Sequence, residues 1–160
     1  MIRINYIKLF TIYIFSLLYI IIGIKHFQDP GPFLSIMPKI IPEYSHKFLV
    51  YLSGFFEIYF GILILFKEER KFGSWGLIAL LICVFPANLY LLFSEAARES
   101  FSLSIGNSEP IRQIDALIRI PFQIPLILCA YWYTIENPKK WFSYVCIVLF
   151  IPTIYYFITL

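Results

Sequence analysis

Five polar side chains interrupt the long apolar runs of this 160-residue chain, and their types are those that do chemistry inside membranes. They are His26, Glu57, Asn88, Arg119 and Gln123. Glu57 lies in the middle of residues 48–66, an otherwise uncharged apolar run. A run of about 19 residues rises about 28 Å as a helix, enough to cross the hydrocarbon core of a bilayer. A carboxyl group at that depth is costly when ionised, which makes it a candidate for exchanging a proton with a ligand or a partner.

Each of these residues also has a structural interpretation. A protonated Glu57 hydrogen-bonded to Asn88 or Gln123 would simply fasten helices together. Arg119 can pair with Asp115 one turn earlier, or extend toward the lipid headgroups. His26 follows the first apolar run, where a solvated histidine is common. The residue types alone leave both interpretations open.

The depth of each polar residue follows from counting along its apolar run at about 1.5 Å per residue. From the side of the two longer loops, Arg119 lies about 4 Å deep, Asn88 about 8 Å, Gln123 about 10 Å and Glu57 about 13 Å. His26 lies just outside the first run, on the same side. The sequence therefore predicts that the five side chains converge on a polar pocket open toward that face.

The composition assigns the class of protein. With 60% hydrophobic, 20% aromatic and only 14% charged residues, the chain cannot hide its apolar surface in one soluble core. The net charge of +3 is spread over short loops, which argues against nucleic-acid binding. The prediction is an all-α, polytopic membrane helix bundle in a single domain, residues 1–160, with the lipid bilayer as its surroundings.

Five apolar runs are long enough to cross that bilayer. They cover residues 7–24, 48–66, 75–93, 116–134 and 141–159. Residues 25–47 contain four prolines in an otherwise apolar stretch, so we expect an interfacial loop or a lid over the bundle. Residues 94–114 form an extended polar loop, with a short helix predicted near residues 94–101 and Pro110 expected in the first turn of the next helix.

Small residues accompany Glu57 on its helical face. Ser53, Gly54 and Gly61 lie three or four positions from the carboxyl group, so this face can approach other helices closely and is expected to point inward.

The three cysteines are Cys83, Cys129 and Cys146, all within apolar runs. They lack the C-x-x-C spacing of a dithiol or zinc site and are interpreted as small buried hydrophobic residues. No metal and no cofactor is predicted.

Short motifs around the polar residues resemble those of the small DoxX-like membrane proteins. They are G-I-K-H-F at residues 23–27, I-M-P at 36–38, L-S-G-F-F-E-I-Y-F-G at 52–61, V-F-P-A-N at 84–88 and R-I-P-F-Q at 119–123. The resemblance implies a four-helix core in which these polar residues are shared features. The run at 141–159 would then be an added fifth, C-terminal transmembrane helix, and the loop at 94–114 a second addition.

Three classes of function fit a membrane helix bundle with these polar residues. The first is a membrane subunit that docks other membrane or redox proteins, as some DoxX relatives do. The second is a binder of, or an oxidoreductase-type enzyme for, a small lipophilic molecule such as a quinone. The third is a proton-coupled transporter, which five short spans without a repeat equip poorly. The resemblance assigns no activity by itself.

Basic residues predict the orientation. Seven lie in the short loops on the N-terminal side and five in the longer loops opposite, which favours a cytoplasmic N-terminus, in the bacterial inner membrane. We therefore expect an impermeant thiol reagent, applied to intact cells, to label a cysteine at position 107 and not one at position 69. The reverse labelling pattern would overturn the orientation.

Overall fold

The computed structural model describes the backbone of residues 2–159 and the side chains of residues 6–156. This part of the chain contains seven helices and no strand. The helices are α1 (Ile2–Gln28), α2 (Gly31–Ser35), α3 (Glu43–Leu63), α4 (Arg70–Phe93), α5 (Glu95–Ser104), α6 (Gln113–Thr134) and α7 (Lys140–Thr159). The predicted all-α class is confirmed.

The five long helices close into a ring. Neighbours around it are α1 and α3, α3 and α4, α4 and α6, α6 and α7, and finally α7 and α1. The interior is filled by large side chains such as Phe15, Leu77 and Trp132, each fully buried. The short helices α2 and α5 pack on each other at one end of the ring, where they also contact α3 and α4.

Within residues 6–156, three helices are long and apolar enough to cross a membrane: Tyr6–Gln28, Arg70–Phe93 and Gln113–Thr134. Only 33%, 28% and 33% of their most apolar windows are buried within the protein, so most of this surface faces outward. Side chains such as Phe55, Ile82 and Val148 are more than half exposed. Such a surface fits a membrane protein, because lipid tails solvate apolar side chains as well as a protein core does.

Prolines set the helix ends on the side of α2. α1 continues to Gln28, two residues before Pro30, and α3 begins directly after Pro42. The loop predicted at residues 25–47 is therefore shorter and contains α2. The apolar runs stop short of the ends of both helices on this side, because a helix continues past its apolar residues until a residue interrupts its hydrogen bonding.

At the other ends, α3 and α6 differ from their apolar runs. α3 ends at Leu63, inside the run 48–66, and Arg70 caps this end: its guanidinium donates to the carbonyl oxygens of Ile64 at 2.9 Å and Leu65 at 3.2 Å. Pro110 does not lie in the first turn of α6, which begins at Gln113.

The start of α6 is stabilised instead by charge. Asp115, in the first turn, pairs with Arg112 through two contacts of 3.0 Å, and a carboxylate is favourable at a helix N-terminus. The helix predicted near residues 94–101 is present as α5, where Ser94 accepts a hydrogen bond from the Ala97 amide at 3.2 Å.

One cysteine departs from its prediction. Cys129 and Cys146 are buried between α6 and α7, as expected, but Cys83 is exposed on the outer surface of α4. The apolar residues around Cys83 in the sequence indicate a membrane helix, but they do not tell which side of that helix faces the core.

Glycines allow α1 and α3 to cross at close range. A Cβ atom added to Gly54 would lie 2.5 Å from the Cβ of His26 and 2.9 Å from the carbonyl oxygen of Gly23. Further along, the Ser16 hydroxyl donates to the Gly61 carbonyl at 2.6 Å. Gly54, Glu57 and Gly61 are all buried, which confirms that the small-residue face of α3 points inward.

Replacing Gly54 by alanine should force the two helices apart. We expect Gly54→Ala to destabilise the protein by about 1–3 kcal/mol, the usual cost of overpacking, measured by thermal unfolding in detergent. Gly31→Ala is the matched control, since its added Cβ would come no closer than 3.4 Å to any neighbour. Equal stability of the two variants would contradict the close crossing.

Candidate functional site

His26 and Glu57 meet where α1 and α3 cross. His26 Nδ1 lies 3.1 Å from Glu57 Oε2, and the two residues are only 5% and 8% exposed. The sequence placed His26 just outside its apolar run, but α1 extends two residues beyond it, so the imidazole lies inside the bundle. The glycine crossing makes this contact possible, because it brings the backbones of the two helices together at Gly23 and Gly54.

The backbone determines where one proton of this pair resides. His26 Nδ1 also lies 2.9 Å from the carbonyl oxygen of Ile22, and a carbonyl oxygen only accepts hydrogen bonds. Nδ1 therefore carries a hydrogen that points at Ile22. Glu57 Oε2, although close to Nδ1, has no well-aligned hydrogen bond and is fully buried.

The proline-rich loop covers this pair. Phe33, in α2, stacks on the His26 imidazole with ring centroids 3.5 Å apart and an interplanar angle of 22°. An aromatic ring on the imidazole keeps water from its face. The sequence indicated a lid from the apolar content of the loop, but it did not identify Phe33 as the residue in contact.

Asn88 and Gln123 form a second polar contact, between α4 and α6. Asn88 Nδ2 donates to Gln123 Oε1 at 3.3 Å, and Gln123 Nε2 donates to the carbonyl oxygen of Leu81. Leu81 precedes Ile82, whose carbonyl oxygen is the one that Pro86, lacking an N–H group, leaves without its hydrogen bond within the helix. Gln123 is 5% exposed and thus satisfies a backbone acceptor inside the bundle.

Arg119 forms a third contact, away from the other two. Its guanidinium lies over the Phe101 ring of α5, with 4.5 Å from Cζ to the ring centroid, and it hydrogen-bonds Tyr156 of α7. Asp115, the partner considered from the sequence, pairs with Arg112 instead. Phe101 and Tyr156 were not identified from the sequence, since neither lies at a spacing that marks an arginine partner.

The five candidate residues thus lie in three contacts, each joining a different pair or set of helices. The clefts on the described surface include one of about 440 Å³ and one of about 290 Å³. Of the five residues, only Gln123 lines either of them, at the smaller cleft beside Phe85 and Ile120. Glu57 is the one candidate whose buried oxygen is left without an aligned hydrogen bond.

Gln123 makes hydrogen bonds to both Asn88 and Leu81, so replacing Gln123 should cost more stability than replacing Asn88. Gln123→Leu should destabilise the protein by about 1–3 kcal/mol, because it removes two interhelical hydrogen bonds, one to the Leu81 carbonyl and one from the Asn88 amide. Asn88→Leu removes one interhelical hydrogen bond, worth about 0.6 kcal/mol on average in membranes. Thermal unfolding of both variants in the same detergent tests this, and a larger loss for Asn88→Leu would contradict it.

Comparison with known proteins gives one family. Residues 15–134 match the family described as "Domain of unknown function (DUF8561)". The match covers well over half of the chain, and the chain therefore belongs to this family. It includes all five candidate residues and ends at Thr134, the last residue of α6, so α7 lies beyond it. No curated protein and no solved structure matches the chain.

Proposed function

We propose that this member of the DUF8561 family is a DoxX-like integral membrane protein that acts as the membrane subunit of a larger assembly. In this proposal five helices cross the bacterial inner membrane, with the N-terminus in the cytoplasm. The ring docks other membrane or redox proteins, and Glu57 is the functional polar group within it.

The proposal rests on one observation: most of the polar side chains contact groups on neighbouring helices rather than a shared pocket. A bundle that binds a small molecule needs a closed pocket to which several polar groups point. Here Asn88 and Gln123 bind each other, and Arg119 lies against Phe101 and Tyr156. Polar groups used in this way fasten helices, which suits a rigid subunit whose outer surface meets its partners.

The ring supports five spans rather than three. α3 has 21 residues and α7 has 20, lengths of about 30 Å as helices. Both pack between the three helices that are long and apolar enough to cross a membrane, and close the ring with them. A helix that completes a closed ring of membrane spans lies at the same depth as its neighbours, so α7 is proposed as the fifth span added to a four-helix core.

The environment of Glu57 supports a role beyond fastening. The carboxyl group is buried, its Oε2 has no aligned hydrogen bond, and its close neighbour His26 is itself titratable. An ionisable group of this kind inside a membrane is a functional site by default, because a simple fastener would be fully satisfied. The pair can hold or release a proton when a partner docks.

A second candidate function is favoured by the stacking on His26. A quinone or similar small lipophilic molecule carries carbonyl oxygens that accept hydrogen bonds and a flat ring that stacks on aromatic side chains. If the Phe33 ring moved away, such a ring could lie on the imidazole, next to the buried Glu57 oxygen. An enzyme of this type would use Glu57 to exchange a proton with the ligand.

Gentle purification followed by mass spectrometry separates the two candidates. A membrane subunit should bring partner chains with it in fixed proportion and carry no small molecule in the bundle. A stoichiometric quinone without partner chains would overturn the subunit proposal in favour of the second candidate.

Glu57→Gln then tests whether the carboxyl group matters. Glutamine has nearly the same shape, so we expect normal expression and a stability loss of about 0.6 kcal/mol or less. We also expect the variant to lose the activity that deletion of the gene reveals, since an amide cannot exchange the proton. Glu57→Leu is an unsuitable substitute, because it would impair folding and function together. Full complementation of a deletion strain by Glu57→Gln would show that Glu57 is only a fastener.

A further inference from the structure

The larger cleft, of about 440 Å³, lies apart from the Glu57 pair. It is a shallow, open cleft bordered by α2, the first turns of α3 and the C-terminal half of α5. The side chains that matter at its wall are Leu34, Ser35, Glu43, His46, Lys47 and Ser104. The apolar run of α3 starts at Phe48, directly after Lys47, so the cleft lies where a membrane-spanning α3 would leave the lipid tails.

Two hydroxyl groups of the cleft already donate their hydrogen atoms to backbone carbonyl oxygens. Ser35 Oγ donates to the carbonyl oxygen of Pro32 at 2.7 Å, and Ser104 Oγ donates to that of Phe101 at 2.6 Å. A hydroxyl group has one hydrogen and two lone pairs. Toward a ligand both serines can therefore act only as acceptors.

His46 and Glu43 add acceptors to the same cleft. His46 Nε2 lies 2.8 Å from the carbonyl oxygen of Ile41 and must donate to it, which leaves Nδ1 of the neutral ring as an acceptor. Glu43 is exposed and, among the side chains of residues 6–156, has no ion-pair partner. Lys47, one turn later, lies over the Tyr51 ring at 5.8 Å from Nζ to the centroid rather than against Glu43.

We propose that this cleft binds the headgroup of an aminophospholipid, phosphoethanolamine. Its ammonium group donates to the Glu43 carboxylate and to the serine oxygens, and its phosphate group pairs with Lys47. Glu43 and Lys47 are four residues apart on one helix, with about 5–6 Å between their Cβ atoms, which suits a phosphate and an amine joined by two carbons. One anion and one cation at this distance complement a zwitterion better than a singly charged ligand.

The surroundings favour a lipid over free phosphoethanolamine. Leu34 forms part of the wall of the cleft, and two large apolar side chains beside it face outward: Phe48, 65% exposed, and Leu103, 62% exposed. Acyl chains that leave the headgroup would cover these side chains, whereas a water-soluble ligand would leave them bare.

A methylation series of lipids tests the ammonium contact. Delipidated protein in detergent is titrated with phosphatidylethanolamine, its mono- and dimethyl derivatives and phosphatidylcholine of the same acyl chains, with binding followed by native mass spectrometry. Each methyl group removes an N–H donor, so affinity should fall along the series, by about tenfold from first to last. Equal affinity for all four lipids would overturn the proposal.

Matched variants assign the two charges. Glu43→Gln should abolish the preference for phosphatidylethanolamine over phosphatidylcholine, and Lys47→Gln should weaken both lipids alike. Glu68→Gln, an exposed carboxyl in the turn between α3 and α4, is the control and should bind as the wild type. An undiminished preference in Glu43→Gln would refute the assignment.

A competition arm distinguishes the two sources of the headgroup. Free O-phosphoethanolamine should displace the lipid only at far higher concentration, and displacement at equal concentration would refute a lipid site. Glu57→Gln should leave lipid binding unchanged, because the cleft does not include Glu57.

Discussion

A carboxyl group buried in an apolar helix needs a polar neighbour, and in this protein α1 provides His26. The contact of 3.1 Å between His26 and Glu57 requires α1 and α3 to approach until backbone meets backbone, and Gly23 and Gly54 leave the space for this. Larger side chains at either position would separate the helices and strand the carboxyl group without its partner. The hydrogen bond from Ser16 to the Gly61 carbonyl extends the same close packing over two further turns.

The two ends of the ring are closed by different means. On the side of the N-terminus, cationic side chains cap helix carbonyls: Lys8 donates to Ile135 at 2.6 Å, and Arg70 donates to Ile64 and Leu65. On the opposite side, aromatic rings cover polar groups, with Phe33 on His26 and Phe101 under Arg119. The first arrangement is rigid, since it ends helices at fixed residues. The second depends on the packing of α2 and α5, two short helices outside the ring.

This division separates the polar residues by role. Gln123 and Arg119 bind groups on neighbouring helices, so the polar amide and the charged guanidinium both have partners inside the apolar bundle. Glu57 retains a buried oxygen without an aligned hydrogen bond, beneath the aromatic cover. The ionisable group that can exchange a proton therefore lies at one helix crossing, while the other polar contacts hold the ring of helices together around it.

The amino-acid sequence by itself determined the all-helical class, the apolar segments and the inward face of α3, because these follow from composition and from the period of the helix. It also selected the polar residues, since a charged or amide group in an apolar run is conspicuous. It placed Pro110 in the first turn of α6, which instead begins at Gln113, beside the Arg112–Asp115 pair. Only the tertiary structure decided which polar groups meet. Depth along a helix axis places a residue in one dimension, whereas a contact also requires the rotation of each helix and the order of helices around the ring. For that reason His26, expected at the interface, is the buried neighbour of Glu57, and Arg119, expected to line one pocket with it at a shallower depth, lies against α5 and α7.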